Sequence, residues 1–255
     1  MTPRIFWLIC LSLLFASAAQ AGSRSDLRDG VAVFQAQRLL DESTWSQVIQ
    51  IRNKRPNSTF KSKVWALAFE FGDRVWIYMP QVGTQSPAVK VGQLESDKAD
   101  LSEVLSKINA GFSSYGVAVP TAEMIAELAQ GRDVPNACLM ESLATLRKMV
   151  RSGVEVNQAD LLMYYASVGS NLVGHTVLLF ETDNGRFVWD PERPETTFTI
   201  EKGYKSNALA IARVVAEAGV RAKVAKAHLL GIAETELGGS QVAGLNSRNF
   251  ATSLN

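Results

Sequence analysis

The sequence predicts an α+β fold in which helices pack on an antiparallel sheet, and three observations carry that expectation. Two stretches read as β-hairpins: VWALAFEF (64–71) with RVWIYMP (74–80), and HTVLLFE (175–181) with RFVWD (186–190). Between them, PNACLMESLATLRKMVRSGV (135–154) reads as a helix, with Leu139, Leu143, Leu146 and Val150 at helical spacing and Gly153 to stop it. The chain has 255 residues, 47% hydrophobic and 20% charged, which is enough apolar material to bury a real core.

Each element has a local reason. Gly72-Asp73 separates the first pair of strands, and Gly tolerates the positive φ of a tight turn. Asp183-Asn184-Gly185 does the same for the second pair, which Pro191 closes. Helices are expected near 30–40, at 100–108 and at 121–130, the last with Thr121 as N-cap and Gly131 as C-cap. Residues 45–51 form a short apolar segment, and 88–91 suggest a strand. A short helix is expected at 159–165, and residues 207–230 read as helix because they are rich in Ala and Val. Residues 53–63 read as an exposed loop, and GTQSP (83–87) as an exposed turn.

Residues 1–21, MTPRIFWLICLSLLFASAAQA, read as a signal peptide. Arg4 supplies the charge, residues 5–15 the apolar run, and Ala19 and Ala21 an A-x-A-like cleavage site. The expected location is therefore the periplasm or the external medium, with no stable membrane anchor after cleavage. The expected organisation is an N-terminal α/β portion at 22–120, a core at 121–235 and a flexible tail at 236–255. The 22–120 portion is expected to join the core and add strands to one sheet.

Lys and Arg number 26 against 25 Asp and Glu, so a strongly basic nucleic-acid binder and a polyacidic tail protein are both excluded as default readings. Cleavage after Ala21 would leave equal numbers of acids and bases, and would remove Cys10. Cys138 would then be the only cysteine, with no internal disulfide open to it.

Cys138, His175 and Asp190 together form a nucleophile–base–acid constellation. Cys138 falls in the first turn of a helix, where unpaired N–H groups and the helix dipole stabilise a thiolate and an oxyanion. His175 opens a strand behind Gly174, and Asp190 ends the strand that returns from the turn at 183–185. His175 can take or return the thiol proton, while Asp190 fixes the imidazole tautomer. Taken singly, each has a blander reading: a buried core thiol, a strand-end histidine and a turn acid.

The order and punctuation of these pieces resemble the transglutaminase-like superfamily of papain-like cysteine enzymes. Cys138 opens a helix that ends at Gly153-Val154, and GHTVLLFETDNGRFVWDP matches a His-strand-turn-Asp-Pro element. The resemblance spans residues 130–195. It departs from the family where Leu139 replaces the common Gly after the nucleophile, and where Thr176-Val177 replaces a Trp soon after the His.

The resemblance implies a papain/transglutaminase-like core and a Cys138–His175–Asp190 triad. That triad would cleave or transfer an amide or peptide bond of a peptide, protein or other amide substrate through a Cys thioester. Gln130 and Asn136 are candidate oxyanion donors beside the Cys138 backbone N–H. The alternative is a catalytically inactive domain of the same fold that binds protein or envelope. Cys138 with two histidines gives no CxxC or HxxxH spacing, so neither a metal nor another cofactor is expected. His228 reads as structural, and Trp65, Phe69, Phe71, Trp76 and Tyr78 read as sheet core in preference to a substrate cleft.

Overall fold

A computed structural model describes residues 24–40, 44–71, 74–85, 101–131, 133–168, 171–201, 207–218 and 223–232. The predicted signal peptide at 1–21, the strand at 88–91 and the tail at 236–255 lie outside the described residues. The architecture is α+β, with two antiparallel sheets and five helices among the described residues.

The first sheet has the order β4-β3-β2-β1-β5. Its strands are β1 (Ser46–Asn53), β2 (Lys63–Phe71), β3 (Arg74–Met79), β4 (Gly83–Gln85) and β5 (Phe112–Val117). β2 is buried along nearly its whole length because both faces are covered. One face presents Trp65, Leu67, Phe69 and Phe71, joined by Trp76 and Tyr78, and packs on α1 (24–39), α3 (Ala122–Leu128) and α4 (Cys138–Arg151). The aromatic residues therefore form sheet core, as their strand composition predicts. The other face presents Val64, Ala66, Ala68, Val75 and Ile77 to α2 (Leu101–Ile108).

The second sheet has the order β10-β6-β7-β8-β9. It consists of β6 (Gln158–Val168), β7 (Asn171–Thr182), β8 (Gly185–Trp189), β9 (Thr197–Ile200) and β10 (Lys223–Gly231). Leu162, Tyr164, Ala166, Val177 and Leu179 pack with α5 (Ala208–Ala218) on one face. Leu178, Phe180 and Ala159 pack with Leu146 of α4 on the other.

Four expectations change. Residues 83–85 of the expected exposed turn form edge strand β4 on β3, with Gly83 buried. The segment at 159–165 is strand β6; it is apolar on both faces because α4 covers one and α5 the other, which erases the period of two. Residues 207–230 divide into helix α5 and strand β10, so His228 lies on a strand, opposite Met163. The strands of residues 46–117 build a sheet of their own and do not extend the second one.

Helix boundaries follow their punctuation. The Thr121 side chain accepts from Met124 N at 3.2 Å, capping α3, and Gly131 at φ +62° lies two residues past the C-cap Ala129. Gly153, at φ +80°, ends α4, with Val154 N reaching back to Met149 O at 3.1 Å.

α4 joins the two layers. Leu139, Met140 and Leu143 belong to the core under the first sheet, and Leu146 to the core under the second. Replacing Leu143, which is 1% exposed, by Ala is expected to destabilise the fold by ~2–5 kcal/mol through lost burial and a residual cavity. Urea unfolding measures this directly, and a loss below ~1 kcal/mol would mean that α4 does not pack as described.

Candidate active site

Cys138 is the first residue of α4, and the loop before it is anchored by the first sheet. Tyr78 Oη donates to Pro135 O at 2.6 Å, and Asn136 Nδ2 donates to Pro80 O at 2.7 Å. Asn136 has φ +54°, a left-handed conformation that Asn tolerates better than most residues. Opposite it, Gly83 at φ +73° leaves no room for a side chain, since a Cβ there would come within 3.0 Å of Asn136 O. Burial and the negative charges of Glu141 and Asp29 push the Tyr78 phenol up, so it remains a donor.

Ala137 is the N-cap of α4 and makes no side-chain capping bond. The first N–H groups of a helix have no intrahelical acceptor. Those of α4 therefore have no side-chain cap from Ala137. The Cys138 carbonyl is engaged by Ser142 Oγ at 2.8 Å. The Cys138 side chain is half-buried, and its thiol is free of any disulfide.

His175 lies on β7, paired with Tyr164, whose ring meets the imidazole edge-on at 5.5 Å. The β7–β8 ladder ends at Leu178↔Trp189. Continuing that register puts residue 190 opposite Val177, on the face His175 shares, diagonal to the imidazole and within its reach. The structure bears this out: His175 Nε2 donates to Asp190 Oδ1 at 2.7 Å, with both side chains 3% exposed. α4 packs on the opposite face of the sheet, the one bearing Leu178 and Phe180. α4 therefore does not cover the face carrying His175, and the site forms where β7 runs on beyond its last β8 rung.

Nε2 is taken by Asp190, which leaves Nδ1 as the ring nitrogen that faces other groups, Glu192 Oε1 among them. Burial alone would lower the His175 pKa. Its interactions with the Asp190 carboxylate, which accepts from Nε2, and with Cys138 outweigh it and raise the imidazole to about 9. Burial would likewise raise Asp190, but hydrogen bonds from His175 and Arg193 hold it down at about 2.

The turn after β8 holds Asp190 in place. Glu192 N donates to Asp190 Oδ1 at 3.0 Å and Arg193 Nη2 to Asp190 Oδ2 at 2.9 Å. Arg193 also reaches Val215 O of α5 at 3.4 Å and lies over the Phe198 ring at 4.4 Å. Glu192 Oε1 stands 3.7 Å from His175 Nδ1. Glu141, one turn along α4 from Cys138, is pushed up by burial and by Asp133, and drawn down by the His175 charge.

Of the predicted site residues, His175 and Asp190 are in direct contact, and Cys138 stands among the groups that raise the His175 pKa. The Asn136 side-chain amide is spent on Pro80 O, so it acts as an anchor for the loop. Gln130 is exposed just past α3, with its N–H on Glu127 O. His228 sits two strands from His175, on β10. Sequence reasoning missed Tyr78, Glu192 and Arg193. The Asp-Pro-Glu-Arg run could have signalled the last two, because an Asp two residues before a free N–H forms such a turn. No protein-family model, curated protein or solved structure matches the chain.

The pair makes stability depend on pH at both ends. His175 is raised from its ordinary 6.5 to about 9, so its contribution is complete below 6.5 and is lost as pH rises through 9. Asp190 is lowered from 3.8 to about 2, so its contribution is complete above 3.8 and is lost as pH falls through 2. Urea midpoints are expected to plateau between 3.8 and 6.5 and to decline toward pH 9. Asp190→Asn should flatten the alkaline decline; an unchanged decline would detach it from this pair.

Proposed function

We propose that the chain is an exported, transglutaminase-like cysteine enzyme that opens an amide or peptide bond through a Cys138 thioester. The observation that carries this reading is a buried imidazole bonded to Asp190 through Nε2, its pKa raised by that carboxylate and by Cys138. A general base between a thiol and an orienting carboxylate needs a partner on each ring nitrogen.

The chemistry follows from the atoms. Cys138 Sγ attacks the carbonyl carbon as thiolate, and the C=O π electrons move to oxygen. The open N–H groups at the start of α4 face that developing charge. His175 Nδ1 delivers its proton to the departing amine as the C–N bond breaks, leaving a thioester on Cys138. His175, now neutral, takes a proton from water, whose oxygen attacks the thioester carbon, and the C–S bond breaks to restore Cys138. Hydrolysis is favoured over transfer because water is always present. Asp190 keeps Nε2 protonated, and Arg193 keeps Asp190 turned toward it.

Alkylation tests this reading. Iodoacetamide should label Cys138 quickly at pH 6, and His175→Ala should slow that labelling sharply. Slow labelling that ignores His175 would instead favour a non-enzymatic binding module of the same fold. On a cleaved substrate, His175→Ala is expected to lower kcat/KM by ~10²–10⁴-fold. Activity should also fall as pH rises through about 9, where His175 loses the proton it must donate.

A further inference from the structure

We propose that β5 is a self-association edge, along which a second copy of the chain pairs antiparallel about a two-fold axis at Gly116. Among the described residues the two sheets end in four edge strands, β4 and β5 of the first and β9 and β10 of the second. Exposed edges invite pairing with other chains, so folded proteins keep them short, charged or bulged. Three of the four follow that rule. β4 has three residues and β9 four, while β10 carries Lys223 and Lys226 and a register shift between Val224 and Lys226. β5 does not. Residues 108–122, which contain it, hold no charged side chain, in a chain that is 20% charged. Val117 is 64% exposed, and Val119, just beyond the strand, 77%.

The register decides which backbone groups look outward. Ala118 N donates to Val48 O at 2.9 Å, and Gly116 and Ser114 lie opposite Gln50 and Arg52 of β1. Successive residues of a strand bond to opposite sides, so these three turn to β1. Tyr115 and Val117 therefore turn their N–H and C=O groups to the open side, where no described strand pairs with them. The register shift against β1 falls between Arg52 and Asn53, so residues 114–117 run regularly.

Two copies satisfy these groups with one another. Tyr115 meets the partner's Val117, and Val117 the partner's Tyr115. Each pair exchanges both hydrogen bonds of an antiparallel rung and joins an aromatic to a β-branched side chain. Gly116 then faces its own copy across the axis. A glycine inside a strand marks close approach by another backbone. No described residue of this chain makes that approach, since a Cβ at Gly116 would meet nothing within 4 Å. A charge near a two-fold axis would face its own like, so an uncharged stretch fits a second copy, whereas charges on the edge would help select a foreign strand. His175 lies on the other sheet, so this inference stands apart from the proposed enzyme.

Sedimentation velocity over a range of protein concentrations tests this, and the expected species is a dimer. Gly116→Lys sets like charges face to face and should raise the dimer dissociation constant at least ~10-fold. Val117→Pro removes an outward N–H that β1 does not use, and should weaken the dimer to a similar degree. Both positions are exposed, and urea midpoints measured where the chain is monomeric check that the fold is kept. Gly116→Cys should cross-link two chains on oxidation, with the bond mapped to position 116. Amide exchange should be slow at Tyr115 and Val117 in the dimer and fast in Gly116→Lys, while Ala118 stays protected in both.

A monomer at every concentration would overturn the proposal, and fast Tyr115 and Val117 amides there would leave the edge open to a foreign strand. Slow exchange at those amides in a monomer would overturn it too, because another segment of the chain then covers the edge. A dimer that survives both Gly116→Lys and Val117→Pro has its interface elsewhere, which is the third contrary result.

Discussion

The buried His175–Asp190 ion pair is the constraint on which the rest of the site depends. Two ionisable groups, each 3% exposed in their side chains, lose their hydration on folding. Such a pair persists only when its remaining polar positions are also satisfied. Asp190 accepts from the imidazole, from Glu192 N and from Arg193, while the second imidazole nitrogen faces Glu192. Losing one partner would leave a charge without compensation, which costs far more than the pair contributes. The backbone turn after β8 is therefore as much a part of the site as the side chains it presents.

The first sheet supplies the other half of the geometry. It carries none of Cys138, His175 and Asp190, yet Tyr78 and the Pro80–Gly83 turn hold the loop that starts α4. α4 in turn spans both cores, from Leu139 under one sheet to Leu146 under the other. Cys138 thus rides on an element fixed at both ends, and its helix N-terminus is aimed by contacts more than fifty residues away in sequence. Rigid placement of this kind is what a thiol needs if its base is to reach it without reorganisation.

How much was legible follows from where each residue sits. Cys138 and Asp190 stand next to punctuation, Pro-Asn before a helix and Pro after a strand, while His175 follows a Gly inside β7, not at its start as expected. The hairpins and the long helix have clean periods and were readable for that reason. β6 was not, because Leu161 and Met163 face α4 while Leu162, Tyr164 and Ala166 face α5. β10 was hidden because Ala and Val serve helix and strand alike, and only the pairing with β6 decides between them. The division into two sheets, the Tyr78 anchor and the role of Glu192 depend on distant segments meeting, which no local pattern encodes.

The central claim is that His175 is held between Asp190 and Cys138. The most direct measurement is a ¹⁵N imidazole NMR titration, made tractable because the chain has only two histidines. The account predicts that His175 keeps its proton until pH reaches about 9, and that Cys138→Ala moves the midpoint down by removing the sulfur's hydrogen bond and charge. A midpoint near the ordinary 6.5, unmoved by Cys138→Ala, would contradict it.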